Sequence, residues 1–194
     1  MQKYPSKTIT MTKIKLQDFA DIKSGVFLTG FPQGEVAYLQ VKDIANPNGV
    51  LTATRLKQSS RTDQNLLKKG DLLFAGKGTS YVCRIFDWDI PAVASTALYA
   101  IRLRNNIATP EYLCWYLNHP SVVAKIKAGQ VGSGTPMVHK STLEELEIAV
   151  PSMEKQNLIV KLSLLQDREQ SILHSIAEKR LQLSNQIIIN EINK

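Results

Sequence analysis

Two cysteines and three histidines are all that the 194 residues contain. Cys83 and Cys114 stand far apart in the sequence, each in an apolar neighbourhood. They read as reduced core thiols in a reducing compartment, not as a disulfide framework. His119, His139 and His174 have no ligand spacing to one another or to the cysteines, which argues against a metal site. No stretch approaches the ~20 apolar residues of a membrane span. The N-terminal segment from Met1 to Lys7 has no apolar signal-peptide core, so a soluble, cytoplasmic protein is expected. Acidic side chains are also in short supply. Seventeen of them face 24 lysines and arginines, for a net charge of +7, and that balance favours a polyanionic partner, most simply nucleic acid.

Catalytic signatures are missing as well. The segment from Gly70 to Thr79 fails as a phosphate loop, because five residues separate Gly70 from Gly76 and Lys77 is followed by Gly78. The Ser or Thr that would hold magnesium is therefore absent from its place. No serine or cysteine stands in a nucleophile-elbow context. Asn118-His119-Pro120 is not the Asn-Pro-Pro-aromatic motif of amino-methyltransferases, and no glycine-rich cofactor motif precedes it. No enzymatic activity, cofactor or metal is expected of this chain.

What the sequence does contain changes character at Pro151. Before it, short apolar runs alternate with turn residues. Val36–Val41, Gly70–Ala75, Tyr81–Phe86, Ala97–Leu103 and Leu143–Val150 read as strands, and Lys15–Ile22 as a short helix or a strand. Pro110–Leu117 reads as a helix with Pro in its first turn and Thr109 as cap, and Ser121–Lys127 as a second helix. Gly129 to Thr135 reads as a flexible polar loop. After Pro151 no glycine or proline occurs as far as Lys194. Ser152 and Glu154 suit a helix start, and a helix of ~40 residues would be about 60 Å long. The expected fold is thus mixed α/β (α+β) over 1–150, followed by one long helix over 151–194. Leu158, Leu162, Leu165, Ile172, Ile176 and Leu183 recur on three- and four-residue steps, interrupted by Glu169 and Lys179. That pattern predicts an imperfect coiled coil whose polar seam residues fix register, and those six as the dimerisation residues.

Candidate DNA contacts come from three stretches. Lys77, Thr79 and Ser80 follow the Gly76 turn, Ser133 and Thr135 lie in the glycine-rich loop, and Arg55 and Arg61 lie in a basic segment without clear periodicity. Hydroxyls and cations at such turns suit phosphate oxygens and base edges. Trp88, Trp115 and Tyr116 read as packing residues.

In order along the chain, Ile22-Lys23-Ser24-Gly25, Tyr38-Leu39-Gln40-Val41-Lys42-Asp43-Ile44 and Lys69-Gly70-Asp71-Leu72-Leu73-Phe74-Ala75 are followed by Gly76-Lys77-Gly78. Pro110-Glu111-Tyr112-Leu113, Gly132-Ser133-Gly134-Thr135-Pro136 and Leu143–Pro151 joined to Glu154-Lys155-Gln156 complete the series. Together these resemble the specificity subunit of type I restriction–modification systems. The resemblance implies a target recognition domain and a spacer helix, and a non-catalytic role in directing methyltransferase and endonuclease subunits to a bipartite DNA target. It implies as partners double-stranded DNA, the modification subunit and the restriction subunit. Subunits of this family usually carry two recognition domains and two antiparallel helices; here there is one of each, so a half-size or truncated form is expected, completed as a homodimer through antiparallel C-terminal helices. The alternative is an interaction module that pairs through its helix with a full-length subunit and reads no DNA itself.

Overall fold

The computed structural model describes residues 12–46, 48–78, 81–128 and 136–192. The chain begins with β1 (Thr12–Lys15), α1 (Leu16–Phe19), β2 (Ala20–Ser24), β3 (Val36–Leu39), α2 (Val41–Ala45) and α3 (Gly49–Thr52). It continues through β4 (Thr54–Leu56), α4 (Ser60–Asp63), β5 (Leu72–Ala75), β6 (Cys83–Ile85), β7 (Ala92–Ala94) and β8 (Leu98–Leu103). The last elements are α5 (Pro110–Asn118), α6 (Pro120–Ala128), α7 (Lys140–Glu144), β9 (Glu147–Val150) and α8 (Met153–Ile192).

Three sheets organise these elements. The largest is four-stranded and antiparallel, in the order β2-β8-β5-β6. A three-stranded sheet has β3 at its centre, antiparallel to β4 and parallel to β7. The third pairs β1 with β9, so the beginning of the described chain is held by the strand that immediately precedes α8. The side chains of β3 show why it lies in the middle. Ala37 and Leu39 enter a core shared with Leu73 and Ala75 of β5, Ala94 of β7 and Leu98 of β8, while Val36 and Tyr38 pack on the opposite face with Leu56 and Val93. A strand buried on both faces reads as a continuous apolar run, as this one does.

β5 is equally enclosed. Leu72, Leu73, Phe74 and Ala75 are fully buried, each of the three large side chains being worth on the order of 2 kcal/mol of transfer free energy. Asp71 is also buried and would be costly without partners. Its carboxylate accepts a bidentate pair from Arg102 (2.6 and 2.5 Å) and the Lys68 backbone N–H (2.7 Å). The carboxylate in turn raises the pKa of the Arg102 guanidinium. This ion pair ties the start of β5 to β8 and reinforces the register that sets Leu72 opposite Ile101.

Several sequence expectations change in detail. Lys15–Ile22 is both helix and strand, since α1 gives way to β2 at Ala20. Leu143–Val150 is a strand only from Glu147, because α7 occupies its first part. Val41 leaves the strand to begin α2, whose Asp43 carboxylate accepts the Gln40 backbone N–H at 2.9 Å. The expected helix over Pro110–Leu117 forms as α5, with the Thr109 hydroxyl accepting the Tyr112 N–H at 3.1 Å. The glycine-rich stretch 129–135 lies outside the described residues. The chain divides into two compact units, Met1–Gln156 and Asn157–Lys194.

Candidate nucleic-acid interface

Beyond β5 the chain turns through Gly76-Lys77-Gly78, and two features require glycine there. A Cβ on Gly76 would lie 2.3 Å from Cε2 of Tyr99, and Gly78 has φ +97°. The turn is bonded to a distant segment: Val138 N–H donates to the Gly76 carbonyl (2.8 Å) and Gly78 N–H to the Pro136 carbonyl (2.9 Å). Lys77 and Met137 form an antiparallel bridge across this junction. Tyr99 closes it from beneath, its hydroxyl donating to the Val138 carbonyl at 2.8 Å, and burial raises its pKa. Two separate stretches of candidate residues thus adjoin one hydrogen-bonded junction in chain position. Thr79 and Ser80 directly follow Gly78, and Ser133 and Thr135 come shortly before or directly before Pro136. These four lie outside the described residues, whereas Lys77 is described and exposed.

Lys127, at the end of α6, stands 5.4 Å over the ring of Tyr81, the residue after Ser80. Sequence reasoning passed over it. The available signal was a pair of lysines, Lys125 and Lys127, in the last turn of α6, where cations complement the helix end.

The other basic segment lies on a different sheet. Arg55 is in the middle of β4, Lys57 follows the strand and Arg61 sits on α4. The irregular look of this stretch conceals a tight local structure. Ser59 and Thr62 exchange hydrogen bonds at the start of α4, N–H of Ser59 to Oγ1 of Thr62 at 2.8 Å and N–H of Thr62 back to Oγ of Ser59 at 3.3 Å. Among the described residues no ion pair involves Arg55, Lys57, Arg61 or Lys77. Their charge is free for an anionic ligand.

Beside β4 runs the segment 25–35, anchored at both ends. Gly25 passes so close to β7 that a Cβ would lie 2.1 Å from the Ser95 carbonyl oxygen; this accounts for the glycine in the Ile22–Gly25 motif. Val26 N–H donates to the Ala94 carbonyl (2.9 Å), and Phe31 N–H to the Arg55 carbonyl (2.7 Å). Leu28 packs inward, while Phe27 is 72% exposed and Phe31 44%. A cleft of about 360 Å³ opens between Leu28, Phe31, Leu56 and Lys57. Exposed aromatics on an anchored segment beside free cations suit a ligand with both apolar and anionic parts.

Two further groups stiffen the frame. Gln156 is fully buried; its amide donates to the carbonyls of Ile107 (2.8 Å) and Pro151 (2.9 Å) and accepts the Thr109 N–H (3.0 Å). It thereby fastens the first turn of α8 to the approach to α5. The sequence presented Gln156 only as part of a motif, with nothing to show that it is buried. Cys83 and Cys114 are free and adjacent, Cys114 Sγ lying 3.4 Å from the Cys83 carbonyl oxygen. Burial pushes the Cys83 thiol pKa up, whereas its hydrogen bond with Cys83 lowers that of Cys114. Asn118 brackets the Cys83 backbone, accepting its N–H and donating to its carbonyl, both at 2.8 Å.

α8 contrasts with these elements. From Asn157 onward none of its described residues is buried, and the six expected dimerisation residues, Leu158, Leu162, Leu165, Ile172, Ile176 and Leu183, are 43 to 63% exposed. Among the described residues no helix is long and apolar enough to cross a membrane, and no group of three or more His, Cys, Asp or Glu side chains is placed to hold a metal.

Three solved structures share this architecture. The type I restriction–modification S subunit from M. genitalium matches with a TM-score of 0.58 at 19% identity, over 87% of this chain and 42% of its own. A chain from a structure of type I R-M complex assembly and conformational transition matches with a TM-score of 0.67 at 18% identity, over 94% and 45%. The HsdS subunit from Thermoanaerobacter tengcongensis matches with a TM-score of 0.62 at 17% identity, over 86% and 40%. At such identities the likeness is one of fold, and this chain spans less than half the length of each. No curated protein sequence matches it significantly. The family model for the type I restriction modification DNA specificity domain matches residues 8–193. With that match over almost its whole length, and with the mixed α/β unit and long helix of the solved S subunits, the chain belongs to the type I restriction–modification DNA specificity family.

Proposed function

We propose that this chain is the non-catalytic DNA-recognition component of a type I restriction–modification system. The unit ending near residue 150 reads a short half-site. The helix that follows pairs with the same helix of a second copy, antiparallel, as a coiled coil. Two identical units related by a two-fold axis then address a bipartite, inverted-repeat target and direct methyltransferase and endonuclease subunits to it.

The observation that carries this reading is the junction at Gly76–Gly78. There exposed Lys77 bridges to Met137, two residues past the glycine-rich stretch in sequence, in a chain of net charge +7. Lys77, Arg55 and Arg61, together with Lys57 and Lys127, neutralise backbone phosphates and fix the unit on the duplex. Thr79, Ser80, Ser133 and Thr135 supply hydrogen bonds to base edges and phosphates. Phe27 and Phe31 supply apolar contact of the kind a thymine methyl offers.

Fluorescence anisotropy with duplex DNA tests this, using the full chain together with a modification subunit. Affinity should fall steeply with salt, and Lys77→Glu should weaken binding and reduce the slope of log K against log[salt] by about one. Absent or salt-independent binding would overturn the reading. Retained assembly with the modification subunit, with no effect of reversing Lys77 and Arg55 on DNA, would favour a helix-mediated interaction module instead.

A further inference from the structure

The exposed stripe of α8 has an internal symmetry that selects both its partner and its register. Beginning at Leu158, the three- and four-residue steps continue through Leu162, Leu165, Glu169, Ile172, Ile176, Lys179 and Leu183. In an antiparallel coiled coil, residues of the two alternating seam positions face each other in layers. If two copies cross at the level of position 174, Ile172 faces Ile176 of the other copy and Leu165 faces its Leu183. The same alignment brings Glu169 opposite Lys179, and the two-fold axis makes that pair occur twice. The two charged interruptions of the stripe thereby become each other's partners, while at the outer ends Leu162 faces Gln186 and Leu158 faces Asn190.

We infer that the partner of α8 is a second copy of this chain, bound antiparallel with the axis at position 174 and with its register set by two Glu169–Lys179 ion pairs. This rests on the helix pairing proposed above and makes it specific. Sliding one helix by a heptad in either direction keeps the seam geometry but destroys the charge match. In one direction Lys179 meets Ile176 and Glu169 meets Gln186; in the other Lys179 meets Leu162 and Glu169 meets Ile172. Each buries a charge without a counter-charge, which costs far more than an exposed pair gains. Parallel pairing sets Glu169 against Glu169 and Lys179 against Lys179. The flanking positions agree with the symmetric register, because Leu173, 53% exposed in the single chain, meets its own copy beside the axis. Between Leu165 and Leu183 the two-fold rotation sets apolar residue on apolar residue and charge on counter-charge, as an isologous dimer requires.

Sedimentation equilibrium of the full chain tests the register by charge exchange. Glu169→Lys and Lys179→Glu each oppose like charges twice per dimer and should weaken self-association about tenfold or more. The double exchange should restore it to within a few-fold of the wild type. Near-UV circular dichroism, unchanged in all variants, would show the globular unit intact. Independently, Leu173→Cys should give a disulfide-linked dimer under mild oxidation, whereas Arg180→Cys should not. Dimers whose single exchanges are silent, or whose double exchange fails to restore affinity, overturn the register but leave pairing standing. A chain that stays monomeric at tens of micromolar, or pairs only with a different specificity subunit, overturns both. Loss of DNA binding with this pattern intact would count against DNA recognition alone.

Discussion

β5 and α8 are both rich in leucine and isoleucine or phenylalanine, yet they resolve their apolar surface in opposite ways. Leu72, Leu73 and Phe74 lose all contact with water inside one chain. Leu158, Leu165 and Leu183 keep more than half of theirs exposed. On the pairing proposed above, the contrast separates what the chain completes by itself from what it offers to a second copy. The first unit stabilises its own fold with a core and satisfied buried polar groups such as Asp71 and Gln156. An isolated helix gains little from local hydrogen bonds alone, so the proposed pairing would add to the stability of α8 by covering its stripe.

The comparison can be broken most forcefully in the core. Phe74→Ala should cost about 3–5 kcal/mol in denaturant unfolding of the globular unit. Leu165→Ala should leave that transition within about 0.5 kcal/mol of the wild type while weakening self-association. Equal effects of the two substitutions on the globular transition would erase the distinction between the regions. Next in size is Asp71→Ala, which strands the Arg102 guanidinium against β5. Because that guanidinium is partly exposed, about 2 kcal/mol is expected, short of the full penalty for breaking a buried pair. Adding Arg102→Met should recover much of the loss.

The smallest expected effect sharpens the account of how α5 is fastened. The Tyr112 hydroxyl donates to the Ala149 carbonyl at 2.6 Å, and burial lifts its pKa to about 12 from the ordinary 10.0. The fold favours the protonated phenol, so this contribution is fully present below pH 10 and is lost as pH rises through about 12. Tyr112→Phe should cost about 1 kcal/mol at neutral pH and flatten the decline in stability over that alkaline window. An unchanged alkaline profile would mean that the hydroxyl does not report on this contact.

What could be read from the sequence was what local chemistry decides. α5 announced itself through Thr109 and Pro110, and β5 through an apolar run entered from the Gly70 turn. β7 did not, because Ala92-Val93-Ala94 is too short and plain to mark a strand. Its pairing with β3 comes from residues over fifty positions earlier in the chain. β1 escaped for the same reason, since Thr12–Lys15 is short and largely polar and its described pairing is with the distant β9. The basic segment at Arg55–Arg61 looked irregular because its order lies in the reciprocal bonds of Ser59 and Thr62. Individual candidate cations could be named from the sequence. The meeting of Gly76–Gly78 with Pro136–Val138 could not, as a contact across some sixty residues leaves no local trace.

The central claim, that this chain chooses the DNA sequence on which a methyltransferase acts, has a direct test in the methylomes of cells with and without its gene. The account predicts one bipartite, inverted-repeat methylated motif that disappears when the chain is removed and returns when it is restored. Methylation motifs identical in the two genomes, with the modification subunit present and active, would contradict it.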